Sequence, residues 1–157
     1  MAQRGFSVTG VDFIREALDF ARKRAQGFGV NVDFVQCDVT EFESGKKFNL
    51  LLDCGCLHSF GDRKRIKYKE KILNLMSDRS EYVLLHFGKR DKADLGLGPR
   101  PKSRDEIEEF FLPELELVDF IPSAGGAQFY QYRFIHSHGD AGGKTGIERS
   151  AVSAAAI

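Results

Sequence analysis

Residues 6–12 constrain the fold more than any other part of this chain. They form a short apolar stretch that ends in Asp12, and an amphipathic helical pattern starts immediately behind it. The sequence predicts a strand at 7–11 and a helix that Gly27 and Gly29 end, which is one unit of a parallel α/β sheet. An acid at such a strand end is placed to accept both hydroxyls of a ribose, so we expect a nucleoside cofactor.

The composition favours a single intracellular domain. Its 157 residues suit one hydrophobic core, and 23 basic residues balance 23 acidic ones, so no overall charge favours nucleic acid or a membrane surface. No run approaches the roughly 18 apolar residues of a membrane span, and the N-terminus lacks a signal-peptide pattern. Three cysteines, an odd number, indicate reduced thiols. We therefore expect a cytoplasmic protein.

Alternating strand and helix patterns predict an α/β domain over residues 1–136, with a mainly parallel sheet. A closing hairpin follows from the short, turn-rich link between the last two strands. Residues 88–102 are predicted to form a substrate loop, and residues 137–157 a disordered tail that is rich in Gly, Ala and Ser. The predicted strands are 7–11, 32–35, 48–52, 82–87, 116–121 and 129–134. Besides the helix that follows the first strand, two more helices are predicted, at 62–76 and at 103–111. The last of these begins with a capping box.

Two acids are predicted to lie at adjacent strand ends and to bind one cofactor. Asp12 would accept the ribose hydroxyls with Phe13 against the adenine ring, although an Asp here also caps helices. Asp38 would accept the exocyclic amine of adenine while the amide of Val39 meets a ring nitrogen, although Asp38 is also an ordinary turn residue. Because the two strands are expected to be neighbours, we interpret these residues as one nucleoside site.

The segment 53–58 follows a wholly apolar strand and is predicted to line the reaction pocket, with Asp53 and Cys54 near the cofactor. His58 is a candidate general base because its unperturbed pKa lies near neutral; a structural histidine bonded to backbone is the alternative. Cys54, Cys56 and His58 alternate, but structural zinc normally takes four ligands and no matching pair follows. We therefore predict no metal site.

The predicted helix at 62–76 carries a basic outer face. Phosphate or RNA binding is one interpretation of this face. A solvated face is favoured, because the chain as a whole is not basic. The sequence therefore predicts a small-molecule partner and not a nucleic acid. The basic residues of the face are Arg63, Lys64, Arg65, Lys67, Lys69 and Lys71.

Together these features resemble a class I S-adenosylmethionine-dependent methyltransferase of the generic methyltransferase-domain family, from about residue 4 to residue 134. The resemblance is carried by residues 5–12, 37–39 and 48–58 and by the closing hairpin. It implies a Rossmann-like, doubly wound, mostly parallel sheet that ends in an antiparallel hairpin. It also implies S-adenosylmethionine as the cofactor, with Asp12 at its ribose, Asp38 at its adenine and residues 53–58 beside its methyl group.

The resemblance further implies in-line transfer of a methyl group to an oxygen, nitrogen or sulfur nucleophile of a small molecule. The main tasks of the protein are then alignment and exclusion of water. His58 would accept a proton from a hydroxyl or thiol acceptor. Phe87 and residues 88–102 are expected to contact that acceptor.

The first strand of the family and its glycine-rich loop are missing from this sequence, since only four residues precede Gly5. We therefore expect a truncated domain, with unpaired sheet edges beside 7–11 and 48–52 and with uncertain activity. Two other interpretations stay open. One is a fragment of a nicotinamide-dependent dehydrogenase, whose ribose also meets an acid after the second strand. The other is a non-catalytic relative that binds a partner through its open sheet edge.

Overall fold

A seven-stranded sheet organises the protein. The computed structural model describes residues 1–88, 101–122 and 129–137, together with the backbone of 153–156. The strands are β1 (Ser7–Asp12), β2 (Asp33–Gln36), β3 (Phe48–Asp53), β4 (Met76–Phe87), β5 (Leu115–Ile121), β6 (Phe129–His136) and β7 (Ser153–Ala156). The helices are α1 (Arg15–Gly27), α2 (Asp62–Leu75) and α3 (Arg104–Phe111).

The strands lie in the order β2-β1-β7-β3-β4-β6-β5. β2, β1, β7, β3 and β4 run parallel, whereas β6 pairs antiparallel with both β4 and β5. The predicted α/β class with a closing antiparallel hairpin is confirmed. Because β1 through β4 are parallel, their carboxyl ends meet at one edge of the sheet, which is where open α/β sheets bind ligands.

β7 differs from the prediction of a disordered tail over 137–157. Its four residues pair with β1 on one side and β3 on the other, so that Ala155 lies opposite both Thr9 and Leu51. The unpaired edges expected beside β1 and β3 therefore do not occur. The sequence gives little local reason for this strand, because alanine is depleted in strands. Pairing with the strands on both sides explains its place, because among the described strands β7 is the one that joins β1 to β3. The remaining residues of the predicted tail, apart from Ser137, lie outside the described residues.

Local signals in the sequence explain where α1 ends and where α3 begins. Gly29 has φ +63°, which is the left-handed conformation that ends a helix, and its N–H donates to the carbonyl of Gln26. Ser103 and Glu106 form the predicted capping box at the start of α3. β4 begins at Met76, six residues before the predicted start, because its first residues continue the pairing with β3 despite a register shift near Phe48.

The core lies under the central strands and is dominated by aromatic residues. Tyr82 on β4 stacks with Phe134 on β6 and meets Phe111 on α3, with ring centroids 6.0 and 5.3 Å apart. These contacts hold the hairpin and α3 against the parallel part of the sheet. Fully buried large side chains include Phe48, Leu51, Tyr68, Ile72, Leu84, Leu115 and Tyr132.

Candidate active site

A cavity of about 390 Å³ opens at the carboxyl edge of the parallel strands. Its walls come from the ends of β1 and β2, from α1, from the segment after β3 and from the first turn of α2. Five of the residues predicted to bind the cofactor line it: Asp12, Phe13, Asp38, Val39 and Cys54. The structure therefore brings together side chains that are up to 42 positions apart in the sequence.

Asp12 ends β1 and has one oxygen engaged by the protein. Its Oδ1 accepts the N–H of Ile14 at 2.8 Å, which fixes the turn into α1. Asp12 lines the cavity, and no described residue donates to its Oδ2, so that oxygen can still accept a hydrogen bond. Phe13 is 69% exposed. The side-chain amide of Gln36 donates to the backbone carbonyl of Phe13 at 3.3 Å. The exposed ring provides a flat apolar surface for a ligand ring.

Both carboxylate oxygens of Asp38 already have partners within the protein, which was not predicted. Its Oδ1 accepts from the N–H and the hydroxyl of Thr40 at 3.0 and 2.8 Å, and its Oδ2 forms an ion pair with Lys64. Burial acts to raise the pKa of Asp38, but the hydrogen bonds from Lys64 and Thr40 outweigh it and hold the pKa below its ordinary value. A ligand amine at this carboxylate would share Oδ2 with Lys64.

Lys64 lines the cavity and was not predicted to do so. The basic face of α2 indicated a solvated surface, but Lys64 lies in the first turn of the helix, where α2 meets the ligand edge. Its ammonium group lies 4.7 Å from the ring centroid of Phe60, which lines the same cavity. Its position three residues after Gly61, at the start of a helix that follows a strand end, is the sequence signal that could have indicated this role.

Asp53 does not line the cavity, which corrects its predicted place near the cofactor. Its carboxylate is fully buried and accepts hydrogen bonds from five groups of the protein. Burial raises the pKa of Asp53, while hydrogen bonds from Tyr68 and the backbone oppose that shift. The donors are the N–H groups of Gly55, Cys56 and Leu57 at 2.7, 2.5 and 3.0 Å and the hydroxyls of Tyr68 and Tyr82 at 2.6 and 3.3 Å.

His58 also lies outside the cavity wall, although it touches a residue of that wall. Gly55 has φ +103°, and a Cβ atom there would lie 2.8 Å from Cε1 of His58. The imidazole packs edge-on against Phe87, with centroids 4.8 Å apart, and against His86 at 5.6 Å. Burial and then the charge of Arg65 lower the pKa of His58, so its ring is neutral at pH 7.

His86 is fully buried at the end of β4 and was not predicted as part of the site. Its Nδ1 donates to the carbonyl of Phe87 at 2.7 Å, which leaves Nε2 as a bare acceptor with no hydrogen-bond partner among the described residues. Burial is the main cause that lowers the pKa of His86 to about 4. The hydrogen bond to Phe87 opposes this shift, whereas the charges of Arg65 and Lys102, and that of His58 when it is protonated, add to it.

The low pKa of His86 predicts a specific dependence of stability on pH. In the unfolded chain the imidazole gains a proton near pH 6.5, whereas in the folded chain it resists protonation down to about pH 4. The contribution of His86 to the free energy of unfolding is complete above the pKa of the unfolded chain, and it is lost as the pH falls below that value. From about pH 7 to about pH 5 we expect His86 to reduce the free energy of unfolding by about 2 kcal/mol. Urea unfolding across this range measures it.

His86→Asn is the matched control, since its amide can still donate to the carbonyl of Phe87 but does not titrate. The variant is expected to lose stability less steeply as the pH falls. Identical pH slopes for the two proteins would contradict the buried, neutral state of His86.

Burial disfavours the thiolate form of the thiols of the site. Burial raises the pKa of Cys37, Cys54 and Cys56, so all three are protonated at neutral pH, and all three are free.

Within the described ranges no group of three or more His, Cys, Asp or Glu side chains has a metal-binding arrangement. The described helices include none that is long and apolar enough to cross a membrane.

The sequence has relatives of known class. Residues 1–78, about half of the chain, match the family of proteins described as methyltransferase domains. A ubiquinone biosynthesis O-methyltransferase of Actinobacillus pleuropneumoniae is 28% identical in an alignment of length 140, gaps included, that covers 79% of this chain. The chain spans 58% of the length of that relative.

Solved structures support the same fold. The CcbJ methyltransferase of Streptomyces caelestis superposes with a TM-score of 0.72 over 87% of this chain and 77% of its own, at 14% identity. A Burkholderia thailandensis 1,6-didemethyltoxoflavin-N1-methyltransferase with bound S-adenosylhomocysteine gives 0.64 over 87% and 74%, at 20% identity. Residues 1–78 belong to the methyltransferase-domain family, and the chain shares the Rossmann-like sheet of solved S-adenosylmethionine-dependent methyltransferases.

Proposed function

We propose that this chain binds S-adenosylmethionine in the cavity at the carboxyl edge of the sheet and transfers its methyl group to a small molecule. The observation that carries the proposal is the convergence of Asp12 and Phe13 with Asp38 and Val39, from neighbouring strand ends, on one cavity. A carboxylate with a free oxygen beside an exposed aromatic ring suits a nucleoside. The proposal extends to this shorter chain an activity that the longer relative bears in its name.

The described residues fit the nucleoside part of such a cofactor. Oδ2 of Asp12 would accept a ribose hydroxyl, Phe13 would cover a face of the adenine, and Lys64 would hold Asp38 in place beside its edge. Cys54, which follows β3, also lines the cavity. When bound, the cofactor supplies an electrophilic methyl group on a sulfonium, so the protein needs no nucleophile of its own.

His58 is proposed to accept the proton of a hydroxyl or thiol acceptor. Its lowered pKa keeps the imidazole neutral and therefore able to take a proton at pH 7. Its Nδ1 has no partner among the described residues. The ring lies close to Gly55, a residue of the cavity wall, which supports this role. Phe87, which packs on this ring, is proposed to contact the acceptor; most of the loop predicted at 88–102 lies outside the described residues.

The test of the proposal is calorimetric titration of S-adenosylhomocysteine into the chain and into Asp12→Asn. The asparagine can keep the hydrogen bond from the N–H of Ile14 but loses the charge and the second acceptor oxygen. We expect affinity to fall by about tenfold or more, because a hydrogen bond to a charged group contributes about 1.5 kcal/mol or more.

Asp33→Ala is the matched control, since Asp33 is exposed at the opposite end of β2. It should leave the affinity unchanged. Equal affinities for Asp12→Asn and the unmodified chain, or no binding to a folded chain, would overturn the proposed cofactor site.

The hairpin of β5 and β6 distinguishes this proposal from the dehydrogenase interpretation. A nicotinamide-dependent dehydrogenase was expected to continue the parallel sheet, whereas β6 runs antiparallel to β4. The non-catalytic interpretation relied on an open edge beside β1 and β3, which β7 fills. A cytoplasmic location is part of the proposal and is supported by the three free thiols.

A further inference from the structure

The ion pair between Asp38 and Lys64 forms part of the wall of the cavity at the carboxyl edge of the sheet. Asp38 follows β2, and Lys64 lies in the first turn of α2. The two side chains are 32% and 42% exposed, respectively, so a ligand in the cavity can reach both. The pair can therefore contact a ligand as well as join two elements of the fold.

Asp38 keeps one open position for a hydrogen bond. A carboxylate accepts about four hydrogen bonds, two at each oxygen. Oδ1 accepts the N–H and the hydroxyl of Thr40, which fills its two positions. Among the described residues, Lys64 is the one donor to Oδ2. One further donor can therefore be accepted at Oδ2, directly beside the ammonium group.

Lys64 keeps hydrogen-bond donors of its own. An ammonium group carries three N–H bonds, and within the described ranges its hydrogen-bond acceptor is Asp38. The ring of Phe60, which lines the same cavity, has its centroid 4.7 Å from Nζ and attracts the cation. Asp38 and Phe60 thus hold the ammonium group at the cavity wall. An open acceptor position on Asp38 and an N–H of Lys64 lie side by side there.

Adenine has the complementary arrangement of groups. Its exocyclic amine is a donor, and the ring nitrogens on either side of the amine, N1 and N7, are acceptors. An amine that donates to Oδ2 of Asp38 brings one of these nitrogens next to the ammonium group of Lys64. A purine with a carbonyl in place of the amine would instead direct an acceptor at the carboxylate.

We propose that Lys64 is a specificity-determining residue, which donates a hydrogen bond to one of the two ring nitrogens beside the exocyclic amine of adenine. The amide of Val39, which follows Asp38 in the chain, is left to meet the other nitrogen. As recognition of the base of S-adenosylmethionine, this role rests on the proposed function. As recognition of adenine, it rests on the paired donor and acceptor in the cavity wall.

Adenosine, 1-deazaadenosine and 7-deazaadenosine are suitable probes, since each analogue replaces one ring nitrogen with a C–H group and keeps the exocyclic amine. They are titrated into the full chain and into Lys64→Met, and binding is followed by NMR through the amide signals of Phe13 and Val39. In the unmodified chain we expect each analogue to bind at least about fivefold more weakly than adenosine, because it loses one hydrogen bond. In Lys64→Met one of the two penalties should disappear.

The ratios of the affinities separate a direct contact from a merely structural role of Lys64. If Lys64 only held Asp38 in place, Lys64→Met would weaken all three nucleosides by the same factor and leave their ratios unchanged. Unchanged ratios, or no penalty for either analogue in the unmodified chain, would overturn the proposal.

Two further variants are matched controls. Lys64→Arg keeps a cationic donor and should retain a larger part of the penalty than Lys64→Met does. Lys67→Met makes the same change at an exposed residue about one turn later on α2 and should leave every affinity unchanged. Loss of the same penalty in Lys67→Met would show that the effect is not local to the ion pair and would overturn the proposal.

Parallel titrations with S-adenosylhomocysteine separate this proposal from the proposed function. Binding of S-adenosylhomocysteine, with nucleoside ratios that Lys64→Met leaves unchanged, overturns the role of Lys64 and leaves the methyltransferase proposal intact. Ratios that depend on Lys64, without any binding of S-adenosylhomocysteine, support an adenine site at this ion pair and overturn its assignment to the cofactor. A folded chain that binds none of the four ligands overturns both proposals.

Discussion

Asp53→Asn is expected to destabilise the protein by about 3 kcal/mol or more, since it breaks a buried network with five donors. If the asparagine oxygen takes the place of Oδ1, its NH₂ group faces the N–H of Leu57, which then loses its acceptor. In the flipped orientation the N–H groups of Gly55 and Cys56 lose theirs. Neither orientation satisfies all three amides. Urea unfolding monitored by circular dichroism measures the loss.

Tyr82→Phe is the graded control for this experiment. It removes one donor, at 3.3 Å, and leaves the three amides and Tyr68 in place. We expect a cost of about 1 kcal/mol. A loss for Asp53→Asn no larger than that for Tyr82→Phe would show that the carboxylate does not organise the turn. A large loss that leaves S-adenosylhomocysteine bound to the folded fraction would agree with a structural role for Asp53 outside the cofactor cavity.

Asp53 shows why the sequence predicted the position of the site better than the roles within it. Residues after a buried strand in an α/β sheet reach the ligand edge, so the segment 53–58 was correctly expected there. Whether a carboxylate at that point faces the ligand or turns inward depends on donors elsewhere in the chain. Tyr68 and Tyr82 lie 15 and 29 positions further along, and no local pattern links them to Asp53.

Helices and most strands were predictable because their signals are local. The apolar period of α1, the glycines behind it and the capping box of α3 each act within a few residues. The strand β7 has no such signal. Its conformation depends on β1 and β3, whose residues precede it by about a hundred positions or more. Tertiary pairing alone gives an alanine-rich segment its place in a central strand.

Ala155→Pro tests that place directly and is expected to cost about 3 kcal/mol or more. A strand with neighbours on both sides directs every N–H at a partner, so proline removes a ladder hydrogen bond and its ring crowds the adjacent strand. The effect should spread, because in the described structure β1 and β3 are joined only through β7. Urea unfolding gives the free energy, and hydrogen exchange should become faster at the amides of β1 and β3.

Ala155→Ser is the matched control, since it keeps the N–H group and a small side chain; we expect a change of less than about 1 kcal/mol. A proline variant as stable as the serine variant would mean that β7 contributes nothing to the sheet, and that residues 137–157 form the disordered tail that their composition predicts. A large loss confined to the proline variant would instead show that the last strand joins the half-sheet bearing Asp12 to the half-sheet bearing Asp53. The cavity at the carboxyl edge has walls from both halves, so under the proposed function S-adenosylhomocysteine affinity should then fall together with stability.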